Sequence, residues 1–186
     1  MTQTKNSTVK ADFVLPIVIL TVICLVCSGL LGFFNSLTSP IIAETEAAEA
    51  AKARAEVLPE ADSFTELTEW KDLKPEGSFV TAVYKADNGA GYVFMVTGNG
   101  YGGKGTMKLV VGMTTDGAVV KTVTQQHSET AGMGSKTADE PYRSQWEGKT
   151  VDTMDQVDGV SGATISSTHY LNSMRSVFEA YALISK

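Results

Sequence analysis

Five hydroxyls fall within eight residues in Ser161-Gly162-Ala163-Thr164-Ile165-Ser166-Ser167-Thr168. Asp158-Gly159-Val160 leads into them, and an apolar-striped helix follows. Gly162, with small neighbours on either side, makes an open turn. The start of a helix presents N–H groups without intrahelical partners and a positive dipole end, which together suit a phosphate. The same hydroxyls suit N-capping, because Ser and Thr are common caps. Residue types alone leave two readings open: an attachment point for a phosphate-bearing group, or a helix cap.

Three other constellations carry possible chemistry. Gly98-Asn99-Gly100-Tyr101-Gly102-Gly103-Lys104-Gly105 fits Gly-x-x-x-x-Gly-Lys. Gly105 stands where a nucleotide-binding loop needs Ser or Thr for magnesium, and a strand pattern follows where that loop needs a helix. A nucleoside triphosphatase is thereby excluded. An inter-strand loop remains, whose glycines would let backbone lie close to a flat ligand. His127-Ser128-Glu129-Thr130-Ala131-Gly132-Met133-Gly134 offers His127 and Glu129 as metal-type ligands. His169 is the only other histidine, so a zinc site is thinly supplied and the plain reading is a polar, glycine-hinged loop. Cys24 and Cys27 share one helix face. Their spacing matches half of an iron–sulfur or redox site, and equally two small apolar residues packed in a membrane. No metal is assigned.

The elements that must position these residues begin with an anchor. Phe13 to Phe34 is a run of 22 residues without a charge. At about 1.5 Å per residue it spans a hydrocarbon core of roughly 30 Å. It is longer than the apolar region of a signal peptide, and no small-residue cleavage site follows it. Lys5 and Lys10 precede it, whereas Glu44, Glu46 and Glu49 follow it. That asymmetry predicts a cytoplasmic N-terminus and an extracytoplasmic bulk. Setting aside Lys5, Lys10 and Asp12 leaves 13 of the 15 basic and 20 of the 21 acidic residues, a net of −7 beyond the anchor. Such a domain is no partner for nucleic acid.

An alanine- and glutamate-rich helix is predicted over Ile41 to Leu58, started by Ser39-Pro40 and ended by Pro59. Four strands are predicted: Ser78 to Ala86, Gly91 to Thr97, Thr106 to Thr114 and Ala118 to Gln125. Asp87-Asn88-Gly89 and Asp116-Gly117 serve as hairpin turns. Trp70 and Trp146 read as packing residues. Lys136, Arg143 and Lys149 read as a solvated face within reach of a phosphate. Leu171, Met174, Phe178 and Tyr181 stripe a last helix over Thr168 to Ile184. The fold class is α+β, a mainly antiparallel sheet packed with helices behind one transmembrane helix. The predicted organisation is residues 1–12 cytoplasmic, 13–34 transmembrane, 35–59 linker or stalk, and 60–186 an extracytoplasmic domain.

Asp-Gly-Val-Ser-Gly-Ala-Thr at 158–164 resembles the flavinylation motif of the FMN-binding domain family. The Gly-Tyr-Gly-Gly and His-Ser-Glu-Thr-Ala-Gly-Met-Gly segments resemble the same family, with Met133 where leucine is commoner. In this order and at this length the chain is similar to the G subunits of Rnf-type electron transport complexes. It is less similar to the longer C subunits of sodium-pumping quinone reductases. The resemblance implies an FMN joined through its phosphate to the hydroxyl of Thr164, with Ser166 and Ser167 as rival acceptors. Ser161, Gly162 and Ala163 would shape that loop. His127, Glu129, Thr130, Tyr101 and Gly102 become candidates for flavin contacts.

It also implies a separate flavin transferase for maturation and other membrane and peripheral subunits as partners. The implied role is electron carriage in a complex coupling ferredoxin:NAD electron transfer to sodium or proton translocation. Such a subunit acts on no small substrate by itself. Two further classes remain: a free-standing extracytoplasmic flavoprotein, and an anchored binding domain without flavin.

Overall fold

The computed structural model describes residues 5–185. The chain divides into two compact units, Met1–Ala48 and Glu49–Lys186. Helix α1, Lys5–Val57, begins in the first and ends in the second. Residues 1–4 of the predicted cytoplasmic segment lie outside the described residues. Every Val, Leu, Ile and Phe from Val14 to Ile42 is at least half exposed, and the helix is long and apolar enough to cross a membrane. The predicted helix start at Ser39-Pro40 is not observed, since α1 passes through both Pro16 and Pro40. Pro40 lacks an N–H, so the Ser36 carbonyl loses its intrahelical donor, while the rest of the ladder continues. Near Pro40, Ser36 Oγ donates to the Phe33 carbonyl at 2.8 Å and Thr38 Oγ1 to that of Phe34 at 2.6 Å.

The second unit is built on an antiparallel meander. Its strands are β1 (Phe64–Glu66), β2 (Val80–Ala86), β3 (Gly91–Gly100), β4 (Gly103–Thr114) and β5 (Val119–His127), paired in sequence order. The α+β class predicted above is the one observed. Strand β1 is an addition to the predicted set; three residues are too few to show a period of two. It pairs Phe64 with Ala86 and Glu66 with Tyr84. Asp87 secures it by accepting from Ser63 Oγ at 2.5 Å and Thr65 Oγ1 at 2.7 Å, bonds that hold its carboxyl below the ordinary range. Strands β3 and β4 also run further than predicted. They zip through the glycines, with Gly98 opposite Met107 and Gly100 opposite Gly103. The expected loop is therefore a tight hairpin with Tyr101 and Gly102 at its tip.

Both faces of the sheet are covered, which is why β4 reads as an unbroken buried run from Leu109 to Met113. One face packs Val93, Val110 and Ala86 against Ala53 and Val57 of α1 and Leu58. The other receives α4, Thr164–Ile184, which lies across β3. Tyr170, Met174, Val177 and Phe178 of α4 are buried among Val83, Phe94, Val96 and Leu109. The approach is close: a side chain at Gly98 would overlap Ser173 Oγ. The remaining chain, between β5 and α4, forms α3 (Glu140–Arg143) and short 3-10 turns, with α2 (Trp70–Leu73) ahead of β2. Trp70 and Trp146 are both buried, as packing residues should be.

Tyr170 of α4 is fully buried. Its hydroxyl donates to Thr122 Oγ1 at 2.9 Å on β5, and its ring meets Tyr142 edge-on at 5.2 Å and Trp146 near-parallel at 5.8 Å. Burial pushes its phenol up to about 12 and also raises that of Tyr142. The folded protein thus keeps the Tyr170 proton after the unfolded chain has lost it near the ordinary value of 10. Stability from this group is complete below that value and is lost as pH rises toward about 12. Alkaline denaturation followed by circular dichroism should show this loss, with phenolate absorbance from buried tyrosines appearing only on unfolding. Tyr170→Phe should show a shallower decline.

Candidate functional site

Thr164 is the first residue of α4. Ala163 precedes it as N-cap, and no side chain caps the helix. The first intrahelical bond runs from Ser167 N–H to the Ala163 carbonyl at 2.9 Å, so the N–H groups of Thr164, Ile165 and Ser166 have no intrahelical acceptor. No acidic residue stands in the first turn. The end of a 21-residue helix therefore keeps its first N–H groups for another acceptor. Gly162, at φ +78°, makes the reversal that brings Ser161 to this end.

The hydroxyls of the cluster fare differently. Ser166 is 3% exposed, and its Oγ donates to Glu129 Oε2. Ser167 is 8% exposed, and its Oγ accepts the Val160 N–H at 2.9 Å. Ser161, Thr164 and Thr168 are exposed. The helix-cap reading fails because the hydroxyls inside the first turn face loops that fold over α4, not the helix's own N–H groups.

Thr164 borders two cavities. One, of about 430 Å³, is lined by Tyr101, Thr130, Met133, Gly134, Gly162, Ala163, Ile165 and Ser166. The other, of about 420 Å³, is lined by Tyr142, Trp146, Val157, Gly159, Val160, Ser161, Gly162, Ser167, Thr168 and Leu171. Either volume lies in the ordinary range for small-molecule sites, roughly 300–1,000 Å³. The first has the more apolar walls, with Tyr101, Met133 and Ile165 each more than half exposed around it. An aromatic ring and a thioether beside an exposed hydroxyl at a helix N-terminus fit a flat heteroaromatic group carrying a phosphate.

Three segments distant in sequence meet here. The Tyr101 hairpin, the 127–134 loop and the first turn of α4 are tied by Glu129. Its Oε1 accepts the Tyr101 N–H at 2.8 Å and its Oε2 accepts from Ser166. A Cβ on Gly100 or Gly134 would overlap the Glu129 carboxylate, which explains a glycine at each position. Tyr101, Thr130, Gly162, Ala163, Thr164 and Ser166 thus come together around one cavity, and Ser161 and Ser167 line the other. His127 and Gly102 line neither. His127 accepts the Glu129 N–H at Nδ1, 3.3 Å away. Glu129 also lies behind the wall.

The predicted solvated face needs correction at Arg143. Its guanidinium donates to the carbonyls of Ala138 at 2.8 Å and Thr122 at 2.6 Å, pinning α3 against β5. Lys149 donates to Gln156 Oε1 at 3.3 Å, and Lys136 borders a third cavity of about 300 Å³. Tyr142 and Ile165 were absent from the predicted site. Neither belongs to a periodic pattern, so no local signal marks them.

A family model described as the FMN-binding domain matches residues 100–179 of this chain, and one described as the RnfG N-terminal region matches residues 18–57. The first begins at the β3–β4 hairpin and ends within α4, so it takes in every residue lining the two cavities. The chain is similar to the G subunit of the ion-translocating oxidoreductase complex of Methanosarcina acetivorans, at 29% identity over 88% of this chain and 91% of that one. It is also similar to the G subunit of the proton-translocating ferredoxin:NAD(+) oxidoreductase complex of Clostridium ljungdahlii, at 26% identity over 80% of each. The G subunit of the ion-translocating oxidoreductase complex of Shewanella piezotolerans is 28% identical over 84% of each chain.

Gly134→Ala should push Glu129 and Ser166 apart. We expect a loss of about 1–3 kcal/mol in stability, the usual range for overpacking, with faster amide exchange at Tyr101. Unchanged exchange at Tyr101 would show that Glu129 does not hold the hairpin.

Proposed function

Because the chain belongs to the FMN-binding domain family that includes the G subunits of ion-translocating oxidoreductase complexes, we propose that it is the membrane-anchored electron carrier of such a complex, with FMN bonded to Thr164. The observation that carries this reading is the unequal state of the hydroxyls. Thr164 is exposed at an uncapped helix start between two cavities, whereas Ser166 and Ser167 are buried and hydrogen-bonded. A phosphoester at Thr164 Oγ1 would put the phosphate against the free N–H groups of α4. The cleft between Tyr101 and Met133 would take the ring.

FMN, when bound, supplies one- and two-electron transfer, and that chemistry belongs to the cofactor. The chain's residues hold and shield it. Tyr101 and Met133 offer apolar surface, and α4 offers positive potential. The phosphoester would keep the flavin from being lost outside the cell membrane, and a separate flavin transferase would form it. Lys5 and Lys10 before the apolar run and Glu44, Glu46 and Glu49 after it support a cytoplasmic N-terminus and an extracytoplasmic flavin domain. The name of the Clostridium ljungdahlii relative supports ferredoxin and NAD(+) as the ends of the electron path and a proton as the coupled ion, and that of the Methanosarcina acetivorans relative supports a translocated ion of unstated kind.

Thr164→Val, co-expressed with a flavin transferase, should fold like the wild type and carry no covalent flavin by intact mass. Wild type should gain one FMN less water on the peptide containing Thr164. Covalent flavin in the valine variant would overturn the assignment.

A further inference from the structure

Glu129 is placed to do more than brace a loop. It stands immediately behind the wall of the Tyr101–Met133 cavity and lines no part of it. Three of the lining residues nevertheless press on its carboxylate: Tyr101 through its N–H at 2.8 Å, Ser166 through its hydroxyl, and Gly134 through the absence of a Cβ. The side chain is half-buried. These two donors are neutral, so they orient the carboxylate without cancelling its charge.

We propose that Glu129 is a positioning residue that holds the Tyr101 hairpin onto α4 and sets the electrostatic potential in the cavity, lowering the midpoint potential of a flavin seated there. The inference rests on the reading that FMN is carried at Thr164 in that cavity. Reduction of a flavin by two electrons and one proton leaves negative charge on the ring. A fixed carboxylate one wall away disfavours that charge, and partial burial weakens the screening between them. The α4 N-terminus acts in the opposite sense, and its first turn is where the phosphate would lie. The chain thus separates the two: positive potential at the attachment point, negative potential behind the ring. Ser166 links them, since it belongs to the first turn of α4 and donates to Glu129.

The test is a dithionite titration against a reference dye of the full-length flavinylated protein in detergent, with attachment at Thr164 confirmed by peptide mapping for each variant. Glu129→Gln keeps the size and an acceptor oxygen for the Tyr101 N–H but removes the charge, and its midpoint potential should lie above that of the wild type. Ser166→Ala keeps the charge and removes a donor from it. Its potential should lie at or below the wild-type value, a readout that stands even where Glu129→Gln fails to fold. A Glu129→Gln potential equal to or below wild type, or a rise in Ser166→Ala, overturns the proposal. Wild-type protein without flavin on Thr164 would instead defeat the reading on which it rests.

Discussion

The seating of α4 across β3 is the constraint on which the rest of the second unit depends. Tyr170, Met174, Val177 and Phe178 close the larger core, and the helix can approach the sheet closely because Gly98 carries no side chain opposite Ser173. Burying such side chains contributes about 1.5–3 kcal/mol each, so the position of the helix axis is strongly determined. Its N-terminus inherits that position. Thr164 is held at the two cavities because residues further along α4 are locked against the sheet.

A rigid helix start would not by itself make a site. The hairpin tip at Tyr101 and the 127–134 loop have few apolar contacts of their own and are drawn to α4 by polar bonds through Glu129. The division of labour is physical. Apolar burial, which is non-directional, sets where the helix lies. Hydrogen bonds, which are directional, set how the loops face it. Four hydroxyls that look equivalent in the sequence become unequal as a result: Thr164 and Thr168 stay exposed, whereas Ser166 and Ser167 are taken up by the loops that fold over the helix.

The same reasoning separates the two faces of the sheet. The face toward α4 carries the aromatic core and the cavities, and the other is closed by the C-terminal end of α1. Arg54 lies 4.4 Å from the centroid of the Tyr84 ring there, and Lys121 pairs with Glu56 at 3.0 Å. The ion pair is exposed and worth little, so closure of this face rests on Ala53, Val57 and Leu58.

Much was legible in the residues alone. The uncharged run from Phe13 to Phe34, the apolar stretches of the longer strands and the stripe on the last helix are each set by residues close together in the chain, so each is a local property. The turn residues at Asn88-Gly89 and Asp116-Gly117 placed two hairpins for the same reason. Short or locally ambiguous elements were not legible. Strand β1 has too few residues for a pattern, α1 runs through Pro40, which sequence reads as the first turn of a new helix, and the glycine run is ladder rather than loop because its pairing comes from the partner strand. The site divides along the same line. Sequence determined that a hydroxyl cluster opens a helix, that a glycine-rich segment with Tyr101 and a Glu-bearing loop accompany it, and which family the pattern resembles. Only the tertiary structure decided that Thr164 is the open hydroxyl, that Ser166 is engaged by Glu129, and that Glu129 lies behind the cavity wall. Exposure and partnership are relations between segments far apart in the chain, and no residue carries them by itself.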